Sequence, residues 1–357
     1  MRRRQPLCWR FALTPMNAPL DPGSLTMTEI IRLQTVLSQE LTRRFERTAA
    51  LVFTDIVDST RYFAQFGDEA GGRLQQLHFD CLDKAVAAHR GRIVDTAGDG
   101  AFVFFESAID AARSMVLLQQ LLSTENQTRP RAHQVTVRIG MHWGPVLTDG
   151  DVVTGDSVNL SARIASSAQP GQIRLSRELL TQLDLSQREL CRPLPAVPLK
   201  GISRQVDLLD LPWRDSTRFP SQVLVHESGE CLALPPLDTL CFGRGEATQA
   251  PGIHDIILAL PDSMATRQIS RRHFELHSRA EGYVLKAVSS QLTEVDGVVM
   301  QRDQEWPVGP GSLVRLARVA TLEFLSTGPV EREEADGTMY SPSPAKPLPG
   351  VTMFGPP

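Results

Sequence analysis

Between residues 48 and 145 the apolar residues change period from two to 3.6 and back, twice over, and this alternation restricts the fold more than any other feature of the chain. The run "AALVFTDIV" (49–57) is β-branched and aromatic and ends in acids, which predicts a strand. From Gly71 to Arg90 the residues Leu74, Leu77, Cys81 and Ala85 fall on one helical stripe, and Gly91 stands where a C-terminal cap belongs. "GRIVDTAGDGAFVFF" (91–105) sets two short apolar runs around Asp99 and Gly100, which predicts a β-hairpin with a type I′ turn. Asp95 precedes Asp99 by four residues, so strand alternation predicts both carboxylates on one face. Ser107 then caps a second helix, "AIDAARSMVLLQQLL", with Asp110 at its positive end, and "VTVRIGM" is a strand. The order β-α-β-β-α-β predicts an α+β, ferredoxin-like sandwich. A further helix, "SVNLSARIASSA", and the strands "GQIRLS" and "QVDLLDL" extend it, for a domain over 48–212.

Outside that domain the pattern changes. Residues 28–47 carry Ile30, Leu33, Leu37, Leu41 and Phe45 at three- and four-residue steps, an amphipathic helix suited to a dimer contact. Residues 1–27 read as a disordered lead-in, with Met16 or Met27 as alternative starts, and 213–221 as a polar linker. Over 222–327 short strands alternate with Gly, Pro and Asp turns, which predicts an all-β sandwich. The Pro-rich, acidic residues 328–357 are expected to be disordered.

A net charge of -4 gives no basic footprint for nucleic acid. Five scattered cysteines without a C-x-x-C spacing suggest reduced thiols and a cytoplasmic location, and no apolar run is long enough for a membrane span.

Two carboxylates, Asp55 at the end of the first strand and Asp99 in the adjacent hairpin, can hold two divalent cations for in-line phosphoryl chemistry, with Mg²⁺ suited to such oxygen ligands. Taken singly, Asp55 also fits a helix cap, Asp99 an ordinary hairpin turn and Arg163 a surface arginine. The strand-to-helix junction "VDST", with Ser59 and Thr60, offers backbone N–H groups to phosphate oxygens. "FTDIVDST", "GDG", "RIGMHWGPV", "GDSVNLSARI" and "PLKGI", in that order, resemble the catalytic domain of class III nucleotidyl cyclases, the adenylate and guanylate cyclases. The resemblance implies Asp55, Asp99 and the Ile56 carbonyl as ligands of two Mg²⁺ or Mn²⁺ ions. It implies Asn159 and Arg163 as the pair acting on ribose and α-phosphate, and Lys200 as a triphosphate contact. It also implies a homodimer whose two sites each draw the metals from one chain and the Asn and Arg from the other, converting a purine nucleoside triphosphate to its 3′,5′-cyclic monophosphate.

Two positions depart from that family. Adenylate cyclases usually have Lys where this chain has Asp95 and Asp where it has Val152. Asp95 resembles the acceptor that guanylate cyclases present to guanine, whereas Val152 neither donates nor accepts. Asp151 is expected on the opposite strand face. Asp95 therefore accepts from guanine, lies in a pocket that barely reads the base, or belongs to a nucleotide-binding scaffold without turnover.

In the β domain "CFGRGEA", "ISRRHFEL" and "SSQLTEVDGVVM" resemble a forkhead-associated domain, a phosphothreonine-binding sandwich. The resemblance implies Arg244 and Ser270 at the phosphate, Arg271, Ser290 and Gln291 near the peptide, and Gly243 and His273 shaping the loops. Gln291 and Asp296 stand where that family usually has Asn. The partner implied is a threonine-phosphorylated protein; a sandwich that only docks on the first domain is the alternative.

Overall fold

The computed structural model describes residues 23, 25–196, 198–199, 201, 205–245 and 255–326. The expected lead-in up to residue 22, the tail 328–357 and Lys200 lie outside the described residues. The chain divides into two units, Met1–Trp213 and Arg214–Pro357.

In the first unit, helix α1 (Met27–Phe45) opens with a capping box in which Glu29 N–H donates to the Thr26 hydroxyl and Thr26 N–H donates to the Glu29 carboxylate. It buries none of its residues, and Ile30, Ile31, Val36, Leu37 and Leu41 are exposed. There follow β1 (Glu46–Ile56), α2 (Ser59–Ala88), β2 (Arg92–Ala97), β3 (Gly100–Phe105), α3 (Ala108–Asn126), β4 (Val137–Thr148), β5 (Val153–Thr154), α4 (Asp156–Ser167) and β6 (Ile173–Ser176). Two short helices, α5 (Arg177–Leu180) and α6 (Leu185–Leu190), and strands β7 (Arg192–Pro193) and β8 (Leu208–Asp210) complete it. The sheet runs β2-β3-β1-β4-β6-β8-β7, with β5 paired to β4. Its pairs are antiparallel except β4 with β6. The order β2-β3-β1-β4 is the ferredoxin-like sheet that the periods predict.

Alternation along β1 explains the two layers. Ala50, Val52 and Ile56 face a core with Leu82 and Val86 of α2 and Met115 and Leu118 of α3. Ala49, Leu51 and Phe53 face the other side, with Phe102, Phe104, Val94, Val146, Val153 and Val158. Asp55 continues this second row, so it points to the side of the sheet on which α4 packs.

Three local expectations are corrected. Helix α2 starts at Ser59, not Gly71, because two helical pieces join across Gly67 (φ 82°). Its C-terminal left-handed residue is Arg90 (φ 57°), not Gly91, which is glycine because a Cβ there would lie 2.3 Å from the Phe105 ring. The hairpin turn is Gly98–Asp99, since β2 ends at Ala97 and Ala97 pairs with Gly100. Only Gly98 (φ 63°) is left-handed there, the pattern of a type II′ turn, so Asp99 is a turn residue and strand alternation does not set its direction.

The second unit is an all-β sandwich. Its strands are β9 (Gln222–Val225), β10 (Glu230–Ala233), β11 (Thr239–Gly243), β12 (Asp255–Ile257), β13 (Phe274–Arg279), β14 (Gly282–Ala287), β15 (Thr293–Val295), β16 (Val298–Met300), β17 (Glu305–Val308), β18 (Leu313–Leu316) and β19 (Ala320–Leu325), with helix α7 (Ser263–Gln268) before β13. One sheet runs β10-β9-β19-β18-β15-β16 and the other β12-β11-β13-β14-β17. Phe242 stacks on Phe274 at 4.4 Å between ring centroids, and Phe324, Leu276 and Leu285 fill the space between the sheets. Within the stretch expected as linker, Arg214 is buried against this sandwich, donating at 2.7 Å to Asp238 and to Ser278.

Candidate active site

Asp55 is held by the strand beside it. Register pairs it with Arg138 of β4, whose Nε donates to Asp55 Oδ2 at 2.7 Å and whose Nη2 lies 2.5 Å from the same oxygen. The other oxygen faces the hairpin: a Cβ built on Gly100 would lie 3.7 Å from Asp55 Oδ1 and 3.0 Å from the Thr54 carbonyl. Gly100 thus lets the turn bearing Asp99 settle on the end of β1, a steric role beyond the hairpin geometry that the sequence suggested. The side chain of Ile56 is in the core, so only its backbone is left for a ligand.

Beneath this pair lies His78 of α2, fully buried, with Nε2 3.2 Å from Thr54 Oγ1. Burial pushes its pKa down to about 4, against the opposing pull of the Asp99 backbone and carboxylate, so the imidazole is neutral. Helical period placed it within α2 but gave no sign that it reaches the hairpin.

The junction after β1 presents an open helix end. Asp58 is left-handed (φ 58°) and makes no side-chain cap, so the first-turn N–H groups around Ser59 and Thr60 keep no capping acceptor. Helix ends of this kind accept anionic oxygens.

Asn159 and Arg163 sit on α4, four residues apart on its exposed side, while Ser157, Leu160, Ser161, Ile164 and Ala165 are buried. The buried side fixes the helix to the sheet. Ser161 Oγ donates to the Leu51 carbonyl at 2.7 Å, and a Cβ on Gly140 would fall 2.0 Å from Ala165 N. Asn159 and Arg163 therefore point away from the sheet that bears Asp55.

Asp95 is exposed, and one of its oxygens accepts from Thr96 N–H at 2.8 Å. Asp151 and Val152 lie in a turn, not in a strand, so alternation assigns neither a face; their N–H groups both donate to Asp149 Oδ1. Val152 is 61% exposed. Arg92 of β2 crosses to this turn, its Nη1 donating to the Asp151 carbonyl at 3.2 Å and its guanidinium lying 5.2 Å from the Phe104 ring centroid.

In the second unit a separate set of loops converges. Arg244 N–H donates to the Ser270 carbonyl and Gly245 N–H to the Arg271 carbonyl, an approach possible only because a Cβ on Gly243 would lie 2.2 Å from that Arg271 oxygen. Ser270 Oγ lies 2.6 Å from Ser289 Oγ, and Gln291 N–H donates to the same Ser289 hydroxyl at 3.0 Å. Ser289, rather than its exposed neighbour Ser290, joins the two loops, and the sequence reading passed over it. His273 is buried, accepting from Ser270 N–H through Nδ1, with Nε2 3.2 Å from the Leu292 carbonyl. Burial holds its pKa below the usual imidazole range. Arg244, Arg271, Ser290 and Gln291 are exposed around this frame. Asp296 (φ 49°) and Gly297 (φ 84°) form the β15–β16 turn, with Asp296 Oδ1 accepting from Leu313 N–H at 2.8 Å.

Comparison with known proteins accords with this division. Residues 42–207 match the family "Adenylate and Guanylate cyclase catalytic domain", and residues 240–317 match "FHA domain". A "Putative adenylate cyclase 3" of Rhizobium meliloti is 26% identical over 215 residues, covering 58% of this chain and 35% of that protein. An "Adenylate cyclase" of Streptomyces coelicolor is 32% identical over 123 residues, covering 34% of this chain and 31% of that protein. The chain thus spans about a third of the length of these curated relatives. Among solved structures, an "Adenylate/Guanylate Cyclase/Hydrolase" from Silicibacter pomeroyi is 25% identical with a TM-score of 0.43, covering 46% of this chain and 96% of that one. No helix among the described residues is long and apolar enough to cross a membrane.

Proposed function

Because the chain carries an adenylate and guanylate cyclase catalytic domain followed by an FHA domain, we propose that it converts a purine nucleoside triphosphate to a 3′,5′-cyclic nucleotide and pyrophosphate, under the influence of a threonine-phosphorylated partner. The observation that carries the catalytic reading is the split carboxylate of Asp55: Arg138 holds Oδ2 and leaves Oδ1 turned to the Asp99 hairpin. Divalent cations fit this donor set. The described residues contain no cluster of three or more His, Cys, Asp or Glu that would form an all-protein cage. Mg²⁺ is commonly held by one or two carboxylates with substrate phosphates and water. Asp55, Asp99 and the Ile56 carbonyl would hold two Mg²⁺ or Mn²⁺ ions, which when bound acidify the 3′-hydroxyl and neutralise phosphate charge.

This chain's own residues do the rest. The α2 N–H groups at Ser59 and Thr60 receive phosphate oxygens, Asn159 orients the ribose, and Arg163 offsets charge that grows on the α-phosphate as the 3′-oxygen attacks in line. Lys200 completes the triphosphate contacts. Since Asn159 and Arg163 point away from their own sheet, the site is completed by a second copy, in a two-fold dimer with two such sites. The exposed apolar stripe of α1 suits the same dimer.

In the FHA domain Arg244 and Ser270 bind the phosphate, with Arg271, Ser290 and Gln291 beside the peptide backbone. Purified chain incubated with ATP or GTP and Mg²⁺ or Mn²⁺, with product resolved by chromatography, tests the catalytic reading. Binding of nucleotide without product would leave a signalling scaffold in its place.

A further inference from the structure

The purine-reading residues named from the family pattern are Asp95 and Val152, and Val152 can form no polar bond. The register of β2 supplies another candidate. Arg92 pairs with Phe104 and Asp95 with Phe102, and the pairing slips by one residue between Ile93 and Asp95. Phe102 and Phe104 are two apart on one strand, hence on one face, and directly opposed residues share that face. The bulge therefore brings Arg92 and Asp95, three apart and otherwise on opposite faces, to the same side. That side also carries the Phe53–Phe102 stack, with centroids 4.7 Å apart and planes within 8°.

Arg92 reaches from this face to the Asp151 carbonyl, the residue before Val152. Of its five N–H donors that carbonyl occupies one. Asp95 spends one oxygen on Thr96 N–H and has the other left. A cationic donor and an anionic acceptor thus stand at the edge of a packed apolar, aromatic cluster, beside the turn that holds Val152.

Resting on the nucleotide reading above, we propose that Arg92 and Asp95 together read the base, Arg92 donating to a 6-keto oxygen and Asp95 accepting from the adjacent N1–H and 2-amino groups, so that guanine nucleotides are selected over adenine. Adenine presents the reverse edge: its 6-amino group would meet the guanidinium and its unprotonated N1 the carboxylate. Both mismatches leave polar groups unpaired, which is where discrimination is large.

The test is the ratio of kcat/KM for GTP to that for ATP in the full chain with Mn²⁺, paired with equilibrium binding of 3′-deoxy-GTP and 3′-deoxy-ATP, which lack the attacking hydroxyl. Wild type is expected to favour guanine by about tenfold or more in both measurements, and Arg92→Ala and Asp95→Ala each to lower that ratio by about tenfold. Arg92→Glu should shift the ratio furthest toward adenine, and Arg92→Lys should retain part of the guanine preference. Arg92 also anchors the Asp151 turn, and loss of that anchor alone would lower both nucleotides equally and leave the ratio unchanged. An unchanged ratio in Arg92→Ala, or a wild type that binds adenine as well as guanine, overturns the inference. Guanine-selective binding without cyclic product would retain it while removing the catalytic reading, and binding of neither analogue would overturn both.

Discussion

Gly140→Ala tests how α4, the helix bearing Asn159 and Arg163, is seated. The added methyl would lie 2.0 Å from Ala165 N and 2.4 Å from Ala165 Cα, against ordinary contact near 3.4 Å. Backbone cannot rotate out of the way, so α4 must withdraw from β4 by about 1.4 Å, the difference between those distances. At that displacement the 2.7 Å bond from Ser161 Oγ to the Leu51 carbonyl is lost. Overpacking costs about 1–3 kcal/mol and the lost hydrogen bond about 1, while removing a strand glycine returns about 0.5–1. The net is about 1–3.5 kcal/mol, centred near 2, or on the order of 5–10 °C at that centre in the melting temperature of a unit this size.

The functional effect is expected to exceed the thermal one. Asn159 and Arg163 ride on α4, and a misplacement of about 1 Å at reacting groups costs on the order of a hundredfold in rate. Ser161→Ala is the control: it removes the hydrogen bond without moving the helix, so it should cost about 1 kcal/mol and leave most turnover. Thermal melting followed by circular dichroism, and initial rates at saturating nucleotide, give both numbers. A Gly140→Ala protein that melts within 1 °C or so of wild type and turns over normally would refute the packing argument.

Three further outcomes are expected. Asp99→Ala and Arg163→Ala should each abolish cyclic nucleotide formation, and an equimolar mixture should recover on the order of a quarter of wild-type activity, because random exchange gives half heterodimers with one intact site of two; no recovery counts against the shared site. Arg244→Ala should remove the preference of the second unit for phosphothreonine over unphosphorylated peptide by about tenfold or more in fluorescence anisotropy, and equal binding by wild type of both peptides would reject a phosphate-reading role. Burial depresses the His273 pKa, so between that value and the ordinary imidazole value of about 6.5 the unfolded chain holds more protons than the folded one, and stability falls as pH drops through this window. Hydrogen exchange at β13–β14 amides should accelerate from pH 7.5 to 5.5, after correction for intrinsic rates, and His273→Gln should flatten that dependence.

The alternation of periods was enough to identify the elements of the ferredoxin-like half of the first sheet, β2-β3-β1-β4, because each period reports element type and buried face, whereas the places of β5 to β8 were not legible. Turn chemistry misled at one point: the Asp-Gly pair suggested a turn at Asp99–Gly100, whereas Gly98 supplies the left-handed residue and Gly100 lies in close contact with the Thr54 carbonyl of β1. The bulge between Ile93 and Asp95 carries no glycine or other marker in the sequence, so the shared face of Arg92 and Asp95 emerges only from register. His78 reads as one more residue of a helix, and its reach to Thr54 depends on how α2 crosses the sheet. Arg138 was visible inside "RIGMHWGPV", but its pairing with Asp55 follows from the β1–β4 register alone. Ser289 and Ser290 are chemically equivalent in sequence, and loop geometry selects the first.

The proposed chemical event is closure of the 3′-oxygen onto the α-phosphorus at a site formed by Asp55, Asp99, Asn159 and Arg163. Mass spectrometry of the products from GTP and ATP, with Mg²⁺ and with Mn²⁺, measures it directly. The expected products are 3′,5′-cyclic nucleotide and pyrophosphate from at least one nucleotide, and neither when Asp99→Ala replaces the wild type. Folded wild-type protein that forms no cyclic product from either nucleotide with either metal would contradict it.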